Sequence, residues 1–301
     1  MRNLDIVSGE NPNDNKNLQD VSRRRPEWLK VRAPGGDIYS QLKNMMRSKK
    51  LHTVCEEAHC PNIGECWQSG TATFIILGDT CTRSCRFCAI KTGSPNSVIN
   101  QDEPFEVADA VRQMEIKHVV ITSVNRDELE DQGSGIWAQT VREVKRLNPN
   151  VKIEVLIPDF KGDIDCLQKV LDAKPDVLNH NVETIHRLYP DVRPQAKYAR
   201  SLAVLEYSKK KKFLTKTGIM VGIGETFNEV IDLMRDLRFI NVDIMTIGQY
   251  LQPTKEHLPV DRYVTPEEFK EYRHIGLELG FKFVESAPLV RSSYHAANHV
   301  K

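Results

Sequence analysis

The sequence predicts an α/β fold, an incomplete (β/α)6 barrel of the TIM type with an N-terminal extension and a C-terminal tail over its open side. Six apolar, β-branched runs alternate with helical patterns over about 210 residues, which implies parallel strands joined by right-handed crossovers. Each run ends in glycine or polar residues, so six strand ends share one rim, where a βα barrel builds its site. Six runs rather than eight leave the barrel open.

The elements follow in order. Residues 1 to about 36 read as an irregular arm, because Asn11-Pro12-Asn13-Asp14-Asn15 and Ala33-Pro34-Gly35-Gly36 are turn chemistry. Ile38, Leu42, Met45 and Met46 suit an amphipathic helix from Asp37 to about Lys49. The strand runs are 73–77, 118–122, 152–157, 177–182, 216–221 and 243–247. Helical patterns lie between them at 105–114, 135–147, 163–171, 199–210 and 227–239. A seventh apolar element, Phe281-Lys282-Phe283-Val284, leads into the tail. The expected division is therefore an arm with a cysteine motif over 1–70, a partial barrel over 71–285 and a closing tail over 286–301.

Composition excludes several classes. The 42 basic and 41 acidic residues leave a net charge of +1, so no global field draws the chain to nucleic acid or to a membrane surface. No apolar run approaches the ~20 residues that span a bilayer. The first residues are polar, unlike a signal peptide, and the expectation is a cytoplasmic protein. Six of seven cysteines fall between Cys55 and Cys88, which in such a chain points to metal or redox chemistry. Cys166 stands alone in a helical pattern and reads as a small buried hydrophobe.

Cys81, Cys85 and Cys88 follow the first strand with spacing C-x3-C-x2-C. Three thiolates on one short loop can hold three irons of a four-iron cube, leaving the last iron open to a small molecule. A zinc loop would favour paired C-x2-C units with a fourth ligand. Upstream, Cys55, Cys60 and Cys66 form C-x4-C-x5-C, again without a fourth cysteine. By itself this second triplet fits a cluster, a zinc loop or merely adjacent thiols.

The first triplet, with Phe87 before its last cysteine, resembles the signature of the radical S-adenosylmethionine (SAM) superfamily. The resemblance implies that Cys81, Cys85 and Cys88 ligate a 4Fe–4S cluster whose open iron chelates SAM. Electron transfer from that cluster then releases a 5′-deoxyadenosyl radical. Phe87 matches the aromatic beside the adenine. The two triplets in tandem, followed by Arg291-Ser292-Ser293-Tyr294-His295-Ala296, resemble the lipoyl synthase family. Glu56 to Asn62, Thr122 to Asp127, Asn181 to Thr184 and Gly248 to Pro253 follow its pattern, and the likeness runs from about Arg25 onward. Departures at Asp131 to Gly135 and at Ala287 touch no cluster ligand.

That resemblance implies a second 4Fe–4S cluster on Cys55, Cys60, Cys66 and a tail serine, Ser292 before Ser293. A serine oxygen is a weaker iron ligand than thiolate, which should ease release of that iron. The second cluster would be consumed as sulfur donor for C6 and C8 of an octanoyl-lysine. The expected partners are octanoylated lipoyl carrier domains, on 2-oxoacid dehydrogenase acyltransferase subunits and the glycine cleavage H protein. Reduced ferredoxin or flavodoxin is the expected electron donor. Further SAM contacts are expected from Ser123, Asn125, Gly222, Gly224, Gln249 and Glu183, although Glu183 equally suits a helix cap. Arg193, Lys216 and Arg291 are expected to meet a carboxylate or the substrate. Other sulfur-inserting radical enzymes would share the first loop but would not need the second triplet with a serine tail.

Overall fold

The structure is a computed structural model and describes residues 25–30, 52–54, 62–68 and 71–300. The expected helix at 37–49, most of the arm, Cys55 and Cys60 lie outside the described residues.

Seven parallel strands form one open sheet, in which β2 (Thr71–Ile76), β5 (His118–Ser123), β6 (Lys152–Leu156), β7 (Val177–Asn179), β8 (Leu214–Val221), β9 (Ile244–Gln249) and β10 (Phe283–Ser286) are neighbours in chain order. A two-residue strand, β1 (His52–Thr53), pairs antiparallel on the free edge of β2. The six-strand expectation is thus corrected to seven, because Phe283 to Ser286 pair in full register with Ile244 to Ile247. The sheet has two edges and is not a closed barrel. A small pair, β3 (Thr80–Cys81) and β4 (Lys91–Thr92), ties off the cysteine loop.

The crossovers are helical. The chain forms α1 (Ile63–Gln68), α2 (Glu103–Gln113), α3 (Ser134–Leu147), α4 (Ile164–Asp172), α5 (Tyr189–Val192), α6 (Tyr198–Lys210), α7 (Phe227–Phe239) and α8 (Pro266–Glu278). Their starts are written in the sequence. The Asp163 carboxylate accepts from the N–H groups of Asp165 and Cys166, and Thr226 with Glu229 completes a reciprocal capping box. Helix α8, unexpected from the sequence, is capped by Thr265 and opens on Pro266. Among the described residues no helix is long and apolar enough to cross a membrane.

Apolar faces of the strands and helices meet in two groups. One surrounds Phe74, Ile121, Trp137 and Leu167, and the other surrounds Ile219, Met234, Phe269 and Tyr272. Cys166 is buried in the first, and its thiol donates to the Asp131 carbonyl. Between strands sits a buried charge cluster. Lys216 Nζ lies 3.0 Å from Glu154 Oε1, and Asn179 Nδ2 donates to the same oxygen at 2.8 Å. Burial pushes the Glu154 carboxyl up, but Lys216, His118 and Asn179 outweigh it and hold it at about 2.

Candidate functional site

The cysteine loop leaves β2 through Leu77 and Gly78, both with positive φ. It is held from three sides. Thr82 N–H donates to Asn125 O at 3.1 Å, Arg86 N–H to Val192 O at 3.0 Å, and Leu258 N–H to Arg86 O at 3.0 Å. Gln195 brackets Ser84, donating to its hydroxyl and accepting from its N–H. Arg83 anchors the loop most firmly. Its guanidinium forks onto Asp127 at 2.7 and 2.9 Å and reaches Asp159 at 2.7 Å, where it is almost fully buried. Burial alone would raise the Asp159 carboxyl, but Arg83 holds it down to about 2.

The strand ends and this loop enclose a cavity of about 360 Å³. Cys81, Cys85 and Cys88 all line it, together with Phe87, Ser123, Asn125, Glu183, Gln249, Arg193, Arg291 and Ser292. Its remaining wall is largely apolar, including Val54, Ile90, Val124, Ile157, Ile219, Met220 and Leu251. Three donors converge on Cys81 Sγ: Arg83 N–H at 3.4 Å, Asn125 N–H at 3.3 Å and Asn125 Nδ2 at 3.8 Å. Such donors stabilise a sulfur carrying negative charge. Burial pushes the Cys85 thiol up, opposed by Arg193, and pushes Cys88 up to about 12. Iron would have to displace those protons on binding. Among the described residues no three acidic, thiol or imidazole groups are drawn together as a single ion would require. A cube keeps its thiolates apart at its corners.

Two buried polar atoms near the cysteines have no hydrogen-bond partner, Asn181 Oδ1 and Arg193 Nε. Both side chains line the cavity. The other face of Arg193 is engaged, with Nη1 donating to the carbonyls of Asn181 and Val182. Unpaired buried groups are costly, and a polar ligand in the cavity would relieve both. Glu183 holds a left-handed backbone (φ 64°) beside them, with burial raising its carboxyl against Arg193 and Asn181. Strain of this kind collects at ligand sites.

The tail crosses the open side. Ala287 N–H donates to Ile247 O, Gln249 N–H donates to Pro288 O, and the Val290 carbonyl lies against Gly248. A Cβ at Gly248 would sit 2.1 Å from that oxygen, so only glycine admits the tail here. Ser292 faces the cavity, whereas Ser293 does not line it. Helix α1, which carries Cys66, is tied to the same tail: Asn62 Nδ2 donates to Leu289 O at 2.7 Å, and Tyr294 and His295 contact Glu65.

Three expected site residues stand elsewhere. Lys216 is spent on Glu154 and does not line the cavity. Gly222 and Gly224 also lie outside it. Gly222 is required because a Cβ would meet Gln249 Nε2 at 2.2 Å and Arg262 O at 2.4 Å. Gln249 reaches the cavity wall, but its amide is engaged in clamping that turn: Nε2 donates toward Val221, Tyr250 and Arg262 carbonyls, and Oε1 accepts from Val264 N–H. Ser123 accepts from Trp137 Nε1, and Asn125 serves Cys81. Sequence reasoning missed Arg83, Asp127, Asp159 and His180. Burial and the Arg193 charge lower the His180 imidazole to about 4, and it sits between Ile157 O and the Ser201 hydroxyl. Arg83 was the one findable residue, a cation set between two candidate ligands.

Comparison with known proteins supplies the identity. Residues 75–237 match the radical SAM superfamily, and residues 5–60 match the N-terminal domain of lipoyl synthase of that family. The chain is 60% identical to lipoyl synthase from Rubrobacter xylanophilus, covering 90% of this chain and 85% of that one. It is 56% identical to lipoyl synthase from Flavobacterium psychrophilum (92% and 95% covered) and 54% to the mitochondrial lipoyl synthase of Nematostella vectensis (92% and 94% covered). The fold resembles the FeFe-hydrogenase maturase HydG from Carboxydothermus hydrogenoformans, with a TM-score of 0.53 and 14% identity over 87% of this chain and 77% of that one. It also resembles Streptococcus suis SuiB bound to S-adenosylmethionine, with a TM-score of 0.56 and 9% identity over 76% and 54%. Cysteine loop, open parallel barrel and relatives agree: this chain belongs to the lipoyl synthase family of radical SAM enzymes, which insert sulfur into a protein-bound octanoyl group using SAM and a 4Fe–4S cluster.

Proposed function

We propose that Cys81, Cys85 and Cys88 hold the SAM-binding cluster, and that Cys55, Cys60, Cys66 and Ser292 hold a second 4Fe–4S cluster. The observation that carries this reading is that Ser292 lines the same cavity as the three loop cysteines, on a tail tied directly to the helix of Cys66. When bound, the first cluster with SAM supplies a hydrogen-abstracting radical, and the second supplies sulfur.

The chain's own residues then have defined tasks. Arg193 Nε and Asn181 Oδ1 receive the polar parts of SAM, with Phe87 against its adenine. Asn125 and Arg83 N–H groups bear on Cys81. The apolar wall of Val124, Ile157, Ile219 and Met220 accepts an acyl chain and excludes water and stray hydrogen donors. Saturated carbons have no acidic proton, so the reaction starts by hydrogen-atom abstraction and not by general base catalysis. Arg291 stands at the wall where the tail meets the cavity and is assigned to the substrate.

The substrate is an octanoyl-lysine on a lipoyl carrier domain, of an acyltransferase subunit or the glycine cleavage H protein, with sulfur entering at C6 and C8. Reduced ferredoxin or flavodoxin supplies electrons, and the setting is cytoplasmic. Incubation of the anaerobic enzyme with SAM, reduced flavodoxin and an octanoyl-lysine peptide should add the mass of two sulfurs to the peptide. An unmodified peptide, despite deoxyadenosine release, would sink the sulfur-insertion reading.

A further inference from the structure

The loop after β9 grips the cysteine loop by its far end. Leu258 N–H reaches Arg86 O, and His257 Nε2 lies 3.0 Å from Cys88 O. A carbonyl can only accept, so Nε2 carries the proton. Nδ1 is then left to accept from the Thr254 hydroxyl at 2.8 Å, which sets the tautomer. The backbone of His257 is held as well. Its N–H donates to Thr254 O at 3.1 Å, and its carbonyl accepts from Gln252 Nε2 at 2.9 Å. Residues 253–256 beside it are exposed, yet the imidazole is fixed at both nitrogens.

The Cys88 peptide is therefore pinned on both sides. Its N–H donates to Cys85 O inside the loop at 3.0 Å, and its carbonyl accepts from His257 Nε2. We propose that His257 is a positioning residue for the cysteine loop, fixing the Cys88 carbonyl by its Nε2–H and thereby setting how firmly the loop keeps iron and at what potential its cluster is reduced. The inference rests on the reading that Cys81, Cys85 and Cys88 bind that cluster.

The physics is that of an outer hydrogen bond orienting a ligand. With the donor in place, the negative end of the Cys88 carbonyl dipole is compensated by the His257 N–H. Without it, the carbonyl is uncompensated and free to rotate, and water reaches the backbone. A carbonyl dipole left uncompensated beside a cluster disfavours its reduced state, so the potential should fall.

Two substitutions separate the donor from the ring. His257→Gln keeps an N–H at similar reach, whereas His257→Phe keeps an aromatic ring without a donor. On anaerobic, cluster-loaded enzyme, redox titration should give H257F a more negative potential for the SAM-binding cluster than wild type. Iron transfer to a ferrous chelator should be about tenfold faster. H257Q should lie close to wild type in both. The proposal is overturned if H257F matches wild type, or if H257Q and H257F depart equally, since the ring and not the donor would then matter. Cys88→Ala is the control: undiminished iron in C88A would overturn the cysteine-loop reading itself, whatever the His257 variants do.

Discussion

Replacing Gly248 by alanine should uncouple radical formation from sulfur insertion. The added methyl carbon would lie 2.1 Å from the Val290 carbonyl oxygen, where 3.4 Å begins ordinary contact. The obstacle is backbone, so no side-chain rotation relieves it, and the tail must lift by about an ångström. Overpacking of this size costs about 1–3 kcal/mol. Each 1.4 kcal/mol is a factor of ten, so the ratio of seated to lifted tail should fall about five- to a hundredfold. Ser292 lies two residues beyond Val290 and moves with it. Strand β9 itself should survive, because Gly248 has no left-handed backbone to lose. Three measurements on anaerobic G248A check this: iron content, deoxyadenosine release, and lipoyl product by mass. Iron should fall toward that of a single cluster, deoxyadenosine should persist, and product should drop by about fivefold or more. Wild-type yield with full iron content would show that the tail does not serve the second cluster.

Other outcomes follow from the same geometry. Lys216→Met strands the buried Glu154 charge and should destabilise the fold by about 3–5 kcal/mol in thermal or urea unfolding, while a compensating Glu154→Leu should recover much of it. If K216M unfolds like wild type, the buried pair has been misassigned. His180 has its folded pKa lowered to about 4, below the usual 6.5, so its contribution is fully present above pH 6.5 and is lost as pH falls toward 4. The total is about 3 kcal/mol, most of it above the pH where Glu154 and Asp159, both held near 2, begin to titrate. Comparing urea midpoints at pH 7 and pH 5 for wild type and His180→Asn tests it; an equal pH dependence in both contradicts the assignment. Arg83→Lys loses the fork onto Asp127 and Asp159 and should slow deoxyadenosine formation about tenfold or more, with unchanged release counting against its anchoring role.

How much of this was legible in the sequence depends on how local the cause is. Strands such as 118–123 and helices such as 227–239 declare themselves, because burial imposes a period of 2 or 3.6 on neighbouring residues. The cysteine triplets were legible for a related reason, since a loop must offer all its thiols within a few residues to hold a cluster. Helix α8 was missed because it buries little beyond Phe269, Tyr272 and Gly276, although Thr265-Pro266 announced its start. The last strand reads in sequence only as a lead into the tail, since Phe283 falls on the exposed side. The pairing of Lys216 with Glu154 is not legible, because the two stand 62 residues apart and a lysine in sequence looks like a surface or ligand charge. Gly222 suggested close approach to a ligand, and close approach is indeed what it provides, but to Gln249 and Arg262. Long-range packing of this kind leaves no trace in local spacing.

The central claim is that six thiolates and one tail serine hold two separate clusters. Iron and acid-labile sulfide, measured on oxygen-free reconstituted protein, test it most directly when wild type is set beside Cys88→Ala and Cys66→Ala. The account predicts about eight irons in wild type and about four in each variant, with deoxyadenosine release surviving only in C66A. About four irons in wild type, undiminished by C66A, would contradict it.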